Sequence, residues 1–251
     1  MTIRTMARAG YDILWKSWAR LREKDQGIYP VVHQGIQRSG TNFLSAVLSK
    51  ADYRIINRID PARDAPRHKH FRWQDDKSSI VMDSRYGNDR HVGSVAEINR
   101  ICGYPEDQKH IVLFREPRDW LDGIFRWGLA NGWFPSQEAF FEGDLHRAYL
   151  REWDAYYAKW ADLAARDPAG VLLVSYGDLR RDARAGVLAI DRFMGVERAT
   201  PLGTDFTIDK VRHSKPMTEK RKGLEHPGID AALNAPFAFD WQAHVLSGVP
   251  A

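Results

Sequence analysis

Residues 35 to 42, Gly-Ile-Gln-Arg-Ser-Gly-Thr-Asn, place two glycines around a guanidinium and several hydrogen-bonding side chains. Gly35 and Gly40 have the spacing of a P-loop, in which backbone N–H groups cradle phosphate, a lysine reaches the β- and γ-phosphates and a hydroxyl holds magnesium. Thr41 stands where that lysine would be, and Asn42 where the hydroxyl would be. Transfer of a γ-phosphoryl group depends on both missing groups. The loop is therefore suited to an anion but poorly equipped for a nucleoside triphosphate. Two glycines would also serve an ordinary strand-to-helix turn. Arg38, whose planar fork matches oxyanions, and the donors Ser39, Thr41 and Asn42 shift the reading toward anion binding.

A second reactive stretch is Arg-His-Lys-His-Phe-Arg-Trp, residues 67 to 73. Histidine titrates near neutrality and is the commonest side chain for accepting a proton in catalysis. His68 and His70 are thus candidate bases, with Asp83 as an acidic alternative. His33, on the strand before the glycine loop, reads as structural. The nine histidines and the single cysteine show neither zinc-finger spacing nor His-Glu-x-x-His, so no metal site is expected. No Gly-x-Ser-x-Gly elbow points to a hydrolase.

These groups need elements to hold them. A short strand, Tyr29 to Gln34, feeds the glycine loop, and an amphipathic helix from Thr41 to Leu48 follows. Strand, glycine loop and helix amino terminus is the arrangement that turns backbone N–H groups and the helix dipole on an anion. Further strands are expected at Ser79 to Met82, His110 to Phe114 and Val171 to Ser175. Helical periodicity appears at Ser94 to Ile101, Pro117 to Ala130, Gln137 to Ala165 (with a break) and Asp182 to Met194. Strands alternating with helices predict an α/β fold, a mainly parallel sheet covered on both faces. Residues 57 to 78 and much of 199 to 228 read as long loops, which in compact domains are often functional. Residues 7 to 24 read as an amphipathic helix through Tyr11, Leu14, Trp15, Trp18 and Leu21, packed on the body or in weak contact with a membrane surface. The division expected is an N-terminal helical segment, 1–28, and one domain, 29–251.

Five segments in order resemble the sulfotransferases that use 3′-phosphoadenosine 5′-phosphosulfate (PAPS). Gln-Arg-Ser-Gly-Thr-Asn-Phe-Leu, residues 37 to 44, is similar to that family's phosphosulfate loop. The resemblance implies that Gly35, Arg38, Ser39, Gly40, Thr41 and Asn42 hold the 5′-phosphosulfate, with Arg38 replacing the usual lysine and Phe43 near the adenine. The stretch from Val112 resembles the strand and helix that bind the 3′-phosphate. It puts Arg115 on the family's arginine and Gly123 where a serine is usual. The segment from Leu172 resembles the Tyr-Glu-Asp-Leu turn, with Tyr176 and Asp178 on motif positions and Gly177 in place of the acid. Thr204 and Phe206 match an adenine-flanking element, and Arg221-Lys222-Gly223 matches a further 3′-phosphate motif in part. The implied fold is a single P-loop-like sulfotransferase domain, and the implied cofactor is PAPS with no metal. The family's Lys-His setting favours His70 as base over His68, with Arg38 as the cation at the leaving oxygen.

Composition fits this reading. The 251 residues are 43% hydrophobic and 28% charged, with nine tryptophans, enough for a sizeable core. The net charge of +4 comes from interleaved rather than blocked basic residues, so no nucleic-acid partner is expected. A lone cysteine, Cys102, excludes an internal disulfide framework and fits a reducing compartment. With no long apolar run and no signal-like leader, the expected location is cytoplasmic. The acceptor is expected to be a small molecule, glycan or lipid, and the aromatic stretch Phe125 to Phe141 could line its site or belong to the core. Two other classes remain open on the residues alone: a P-loop nucleotide kinase or NTPase, and a non-catalytic nucleotide-binding protein.

Overall fold

A computed structural model describes residues 29–57, 67–73, 92–208 and 224–245. The expected helix at 7–24, the expected strand at Ser79 to Met82, Asp83 and Arg221-Lys222-Gly223 lie outside the described residues. The elements run β1 Tyr29–Gln34, α1 Thr41–Lys50, β2 Tyr53–Ile55, α2 Val95–Cys102, β3 His110–Phe114, α3 Pro117–Ala130, α4 Gln137–Glu142, α5 Leu145–Arg166, β4 Val171–Ser175, α6 Tyr176–Arg181, α7 Ala183–Met194 and α8 Pro227–Leu233. A 3₁₀ turn, Trp241–His244, follows. The four strands pair in the order β2-β1-β3-β4, all parallel.

Each face of the sheet carries its own core. In β3, Val112 and Phe114 point to one side and Ile111 and Leu113 to the other, the two-residue period of a strand. The first side packs against α2, α3, α4, α5 and the C-terminal residues around Phe239; the second packs against α1 and α7. Trp120, Trp153 and Trp160 are fully buried on the first side. Large-to-small truncation of such a ring costs about 3–5 kcal/mol, so this aromatic layer anchors α3 and α5 to the sheet.

Local signals set the helix ends. Ser94 accepts a hydrogen bond from the Glu97 amide at 3.2 Å, and Gly103 closes α2 in the left-handed region at φ 65°. Asp182 caps α7 through the Ala185 amide at 2.8 Å. The expected long helix from Gln137 is broken at Gly143-Asp144, where Asp144 adopts φ 54°, into α4 and α5. β2 and α6 were not expected as separate elements.

Parallel strands bring all their carboxyl ends to one edge. Register pairs Gln34 with Val112, and Phe114 with Ser175, so the loops after β1, β3 and β4 emerge side by side. β1 leads to β2 on one side and neighbours β3 on the other. The gap between β1 and β3 is therefore the sheet's topological switch point, the usual place for a ligand in an open α/β sheet.

Candidate functional site

The glycine loop sits at this switch point, and its backbone leaves no room for side chains where the glycines stand. A Cβ on Gly35 would lie 2.5 Å from Ser39 Oγ and 2.6 Å from the Leu113 carbonyl. Gly40 has φ 98°, and a Cβ there would lie 2.4 Å from the Tyr176 ring. Arg38 also adopts a positive φ, 71°, although it carries a side chain. Single residues in this region are strained and persist only where the surroundings hold them.

Those surroundings are aromatic donors and acceptors from the helices. Trp120 Nε1 donates to the Gln37 carbonyl at 2.7 Å. The Tyr157 hydroxyl accepts from the Ile36 amide at 3.3 Å and donates to the Leu113 carbonyl at 2.8 Å. Trp153 Nε1 donates to the Arg115 carbonyl at 3.1 Å. Trp153 and Tyr157 are four residues apart on α5 and so share a face. Their spacing reads as core in the sequence; the bonds they make to the loops after β1 and β3 do not show in it.

Three guanidinium groups converge here. Arg38 is exposed and lies 4.9 Å from the Trp127 ring centroid. Crowding by surrounding atoms, then by Arg115 and Arg126, lowers its pKa. Arg115 is half-buried, lies over the Tyr176 ring at 5.2 Å and is 3.5 Å from Asp119. Its Nε is buried with no hydrogen-bond partner among the described residues, and the Ser39 hydroxyl is buried beside Tyr157. Arg126 pairs with Asp122 one turn earlier on α3. Gly123 lies beneath the pair: a Cβ would sit 3.3 Å from Arg115 Nη1 and 3.8 Å from Arg38 Cβ. The residue that departs from the expected serine is the one over which both arginines pack.

The residues 67–73 fold against the loop. His70 Nδ1 lies 2.5 Å from the Gly35 carbonyl. A carbonyl only accepts, so Nδ1 carries the proton and Nε2 is left as the ring's acceptor. Burial, reinforced by His68, keeps the His70 pKa well below its usual value, so the ring is neutral at pH 7. His68 supports it: its Nδ1 accepts from the His70 amide at 3.3 Å and the two rings lie 4.9 Å apart. The Phe71 amide donates to Gln34 Oε1 at 3.0 Å, tying the stretch to β1. Lys69 is buried, and its ammonium donates to Asn42 Oδ1 on the first turn of α1. His33 is engaged at both nitrogens, by Asn57 at 3.0 Å and Ser45 at 2.8 Å, in keeping with a structural role.

Thus the structure brings together Gly35, Arg38, Ser39, Gly40, Thr41, Asn42, His68, His70, Arg115, Gly123 and Tyr176. Phe43 joins them edge-on to Tyr176, with ring centroids 5.7 Å apart. Phe206 lies elsewhere, under Lys50 at the opposite end of α1 with a cation-to-ring distance of 5.2 Å, and Thr204 is in an exposed turn beside it. Thr41 and Lys50 are separated by about 13 Å of helix axis at the usual rise. Of the aromatic stretch, Phe125, Phe134, Phe140 and Phe141 are core, whereas Trp127 carries Arg38 and Trp133 is exposed. Lys69, Trp120, Trp153 and Tyr157 were not expected at the site, whereas Trp127 belongs to the aromatic stretch expected either there or in the core.

A family model described as the sulfotransferase domain matches residues 31–228, from β1 to the start of α8. Among solved structures, the mouse sulfotransferase SULT7A1 complexed with PAP is 18% identical, with a TM-score of 0.39; the match covers 69% of this chain and 60% of that one. The chain thus spans less than two thirds of that protein's length. No curated protein matches. The family match, which begins in β1 just before the glycine loop and runs over most of the chain, establishes that the chain belongs to the sulfotransferase-domain family.

Proposed function

We propose that the chain transfers a sulfuryl group from PAPS to a hydroxyl or amine acceptor. The observation that carries this reading is His70, a neutral imidazole bonded through Nδ1–H to Gly35 of the same loop that carries Arg38. A proton acceptor and an anion cradle are thereby joined in one rigid unit. The residues fit the donor: a loop too tight for any Cβ at Gly35 or Gly40, a buried hydroxyl at Ser39 and an Arg115 Nε with no partner among the described residues.

PAPS, when bound, supplies the activated sulfuryl group. Arg38, Ser39, Gly40, Thr41 and Asn42 would hold its 5′-phosphosulfate, with Arg38 offsetting charge on the leaving oxygen. Arg115 would take the 3′-phosphate, together with Arg221, Lys222 and Gly223. Phe43 and Tyr176 form the aromatic wall beside the loop, where a purine face can stack. His70 takes the acceptor's proton at Nε2, and its bond to Gly35 fixes the ring's tautomer while that happens. Preorganised N–H dipoles and guanidinium groups suffice to stabilise developing charge in such a site. Holding base and loop together supplies the alignment of donor and acceptor.

Thermal unfolding with adenosine 3′,5′-bisphosphate, the spent donor, tests the reading. The bisphosphate is expected to raise Tm in the absence of magnesium, because a ligand bound only by the native state stabilises it. Stabilisation by ATP with magnesium and none by the bisphosphate would overturn the proposal in favour of a kinase or NTPase. Bisphosphate binding with no sulfuryl transfer to any glycan, phenol or lipid, and no effect of His70→Ala, would favour a nucleotide-binding protein without catalysis.

A further inference from the structure

Helix α3 gives each guanidinium of the site its own partner. Asp119 pairs with Arg115, and Asp122 pairs with Arg126. Arg38 is held differently. Its side chain crosses α3 at Gly123, where its Cβ lies 3.8 Å from the position a glycine Cβ would take, and its guanidinium ends 4.9 Å from the Trp127 ring centroid. Gly123 and Trp127 are four residues apart and so share one face of the helix. Two arginines thus meet carboxylates on α3, and the arginine of the glycine loop meets a ring.

The kind of partner decides how much charge is left for a ligand. A carboxylate offsets a guanidinium and repels an incoming anion. An indole face attracts the cation through its quadrupole but carries no net charge. Stacking engages the flat of the guanidinium, so its in-plane N–H groups can still donate. An ammonium has no such plane and is more strongly hydrated, which favours arginine over lysine against a ring. Two effects oppose an ordered Arg38. Arg115 and Arg126 repel it, which contributes to its lowered pKa, and fixing a long exposed side chain costs entropy. Trp127 is half-buried on a helix that the fully buried Trp120 anchors to the core, so it offers a stationary surface against both.

We propose that Trp127 is a positioning residue, whose ring holds the Arg38 guanidinium beside the glycine loop with its charge undiminished for the donor's 5′-phosphate end. This rests on the donor assignment made above. It also accounts for arginine in the loop where the family usually has lysine, because Arg38 and Trp127 act as a pair.

The test is a double-mutant cycle on the full chain, read by calorimetric titration with adenosine 3′,5′-bisphosphate. Trp127→Leu should weaken binding about 5- to 30-fold, the loss of a partly buried cation–π contact. Trp127→Phe keeps a ring under the guanidinium and should stay within about 3-fold of wild type. In an Arg38→Gln background, Trp127→Leu should change affinity less than about 2-fold, because the contact it removes is already gone. Arg38→Lys takes the place of Arg38→Gln where binding is too weak to titrate, and Trp127→Met takes the place of Trp127→Leu where that variant fails to fold. A merely structural role for Trp127 would give the same loss in both backgrounds. That result, no loss from Trp127→Leu, or a Phe variant as weak as the Leu variant would overturn the role given to Trp127 and leave the donor assignment standing. Wild-type protein that does not bind the bisphosphate would overturn both.

Discussion

His110 makes the stability of this domain unusually sensitive to mild acid. It opens β3 and is fully buried. Its Nε2 lies 2.7 Å from Asn99 Oδ1, and the Asn99 amide nitrogen is committed to the carbonyls of Glu106 and Gln108, each at 2.9 Å. The amide orientation is therefore set, Nε2 carries the proton, and Nδ1 is buried with no partner among the described residues. Protonation would add a donor at Nδ1 with nothing to receive it, and burial lowers the pKa from 6.5 to about 3. The folded state thus resists a proton that the unfolded chain takes up. Stability is complete above pH 6.5 and falls as pH drops toward 3, by up to about 1.4 kcal/mol per pH unit and roughly 5 kcal/mol in all. His33, lowered to about 4 by burial, adds roughly 3 kcal/mol over a narrower window. Domains have about 5–15 kcal/mol of stability, so the loss of roughly 8 kcal/mol from the two histidines consumes a large share of it as pH falls from 6.5 toward 3. Urea unfolding followed by tryptophan fluorescence at pH 8, 6 and 5 would give the slope. Replacing the imidazole in His110→Gln should flatten that slope by about one proton, whatever packing it loses at pH 8. An unchanged slope in the variant would refute the argument.

Other expectations concern the loop. Gly40→Ala should cost about 1–2 kcal/mol for the left-handed backbone and about 1–3 kcal/mol more for displacing Tyr176. Adding Tyr176→Ala should relieve only the second part, and strictly additive urea-unfolding energies would count against the packing described. Tyr157→Phe leaves the Ile36 amide without its bond and should cost about 1–3 kcal/mol, with faster amide exchange at Ile36; exchange at the wild-type rate would show that the hydroxyl does not hold the loop. Gly123→Ser should fold within about 1 kcal/mol of wild type, since the nearest atom is the movable end of Arg115. Its hydroxyl should tighten bisphosphate binding by about 5-fold, and weaker binding would mean that Arg115 had been displaced.

How legible the site was depended on what kind of contact makes it. Glycines, strand runs and helix periodicity are properties of neighbouring residues, and β1, α1, β3, α3, β4 and α7 lie where those patterns put them, with ends shifted by no more than about two residues. β2 was missed because Tyr53-Arg54-Ile55 is too short to show alternation and follows α1 through a single tight turn at Asp52. Bonds from side chains to distant carbonyls leave no spacing at all. Trp120 reads as an apolar position on α3, and only the fold reveals that its indole N–H ends on the Gln37 carbonyl. Phe206 shows the converse: a local match to an adenine-flanking element does not say which end of α1 the ring will meet.

The same contacts explain how the loop keeps a conformation its sequence would not choose alone. Arg38 and Gly40 both have positive φ, which glycine adopts freely, so the strain the loop stores is at Arg38. Trp120 holds the carbonyl before Arg38, Tyr157 holds the amide of Ile36, His70 holds the carbonyl of Gly35 and the Tyr176 ring closes over Gly40. Each restraint comes from a different element, and each is attached to the core of the sheet. Order imposed before a ligand arrives removes that entropy from the cost of binding. In the proposed function the loop would therefore receive its anion as a rigid receptor rather than by folding around it. The free energy of binding would then be set by the cations around the loop, Arg38 and Arg115, and not by a lysine within the glycine motif.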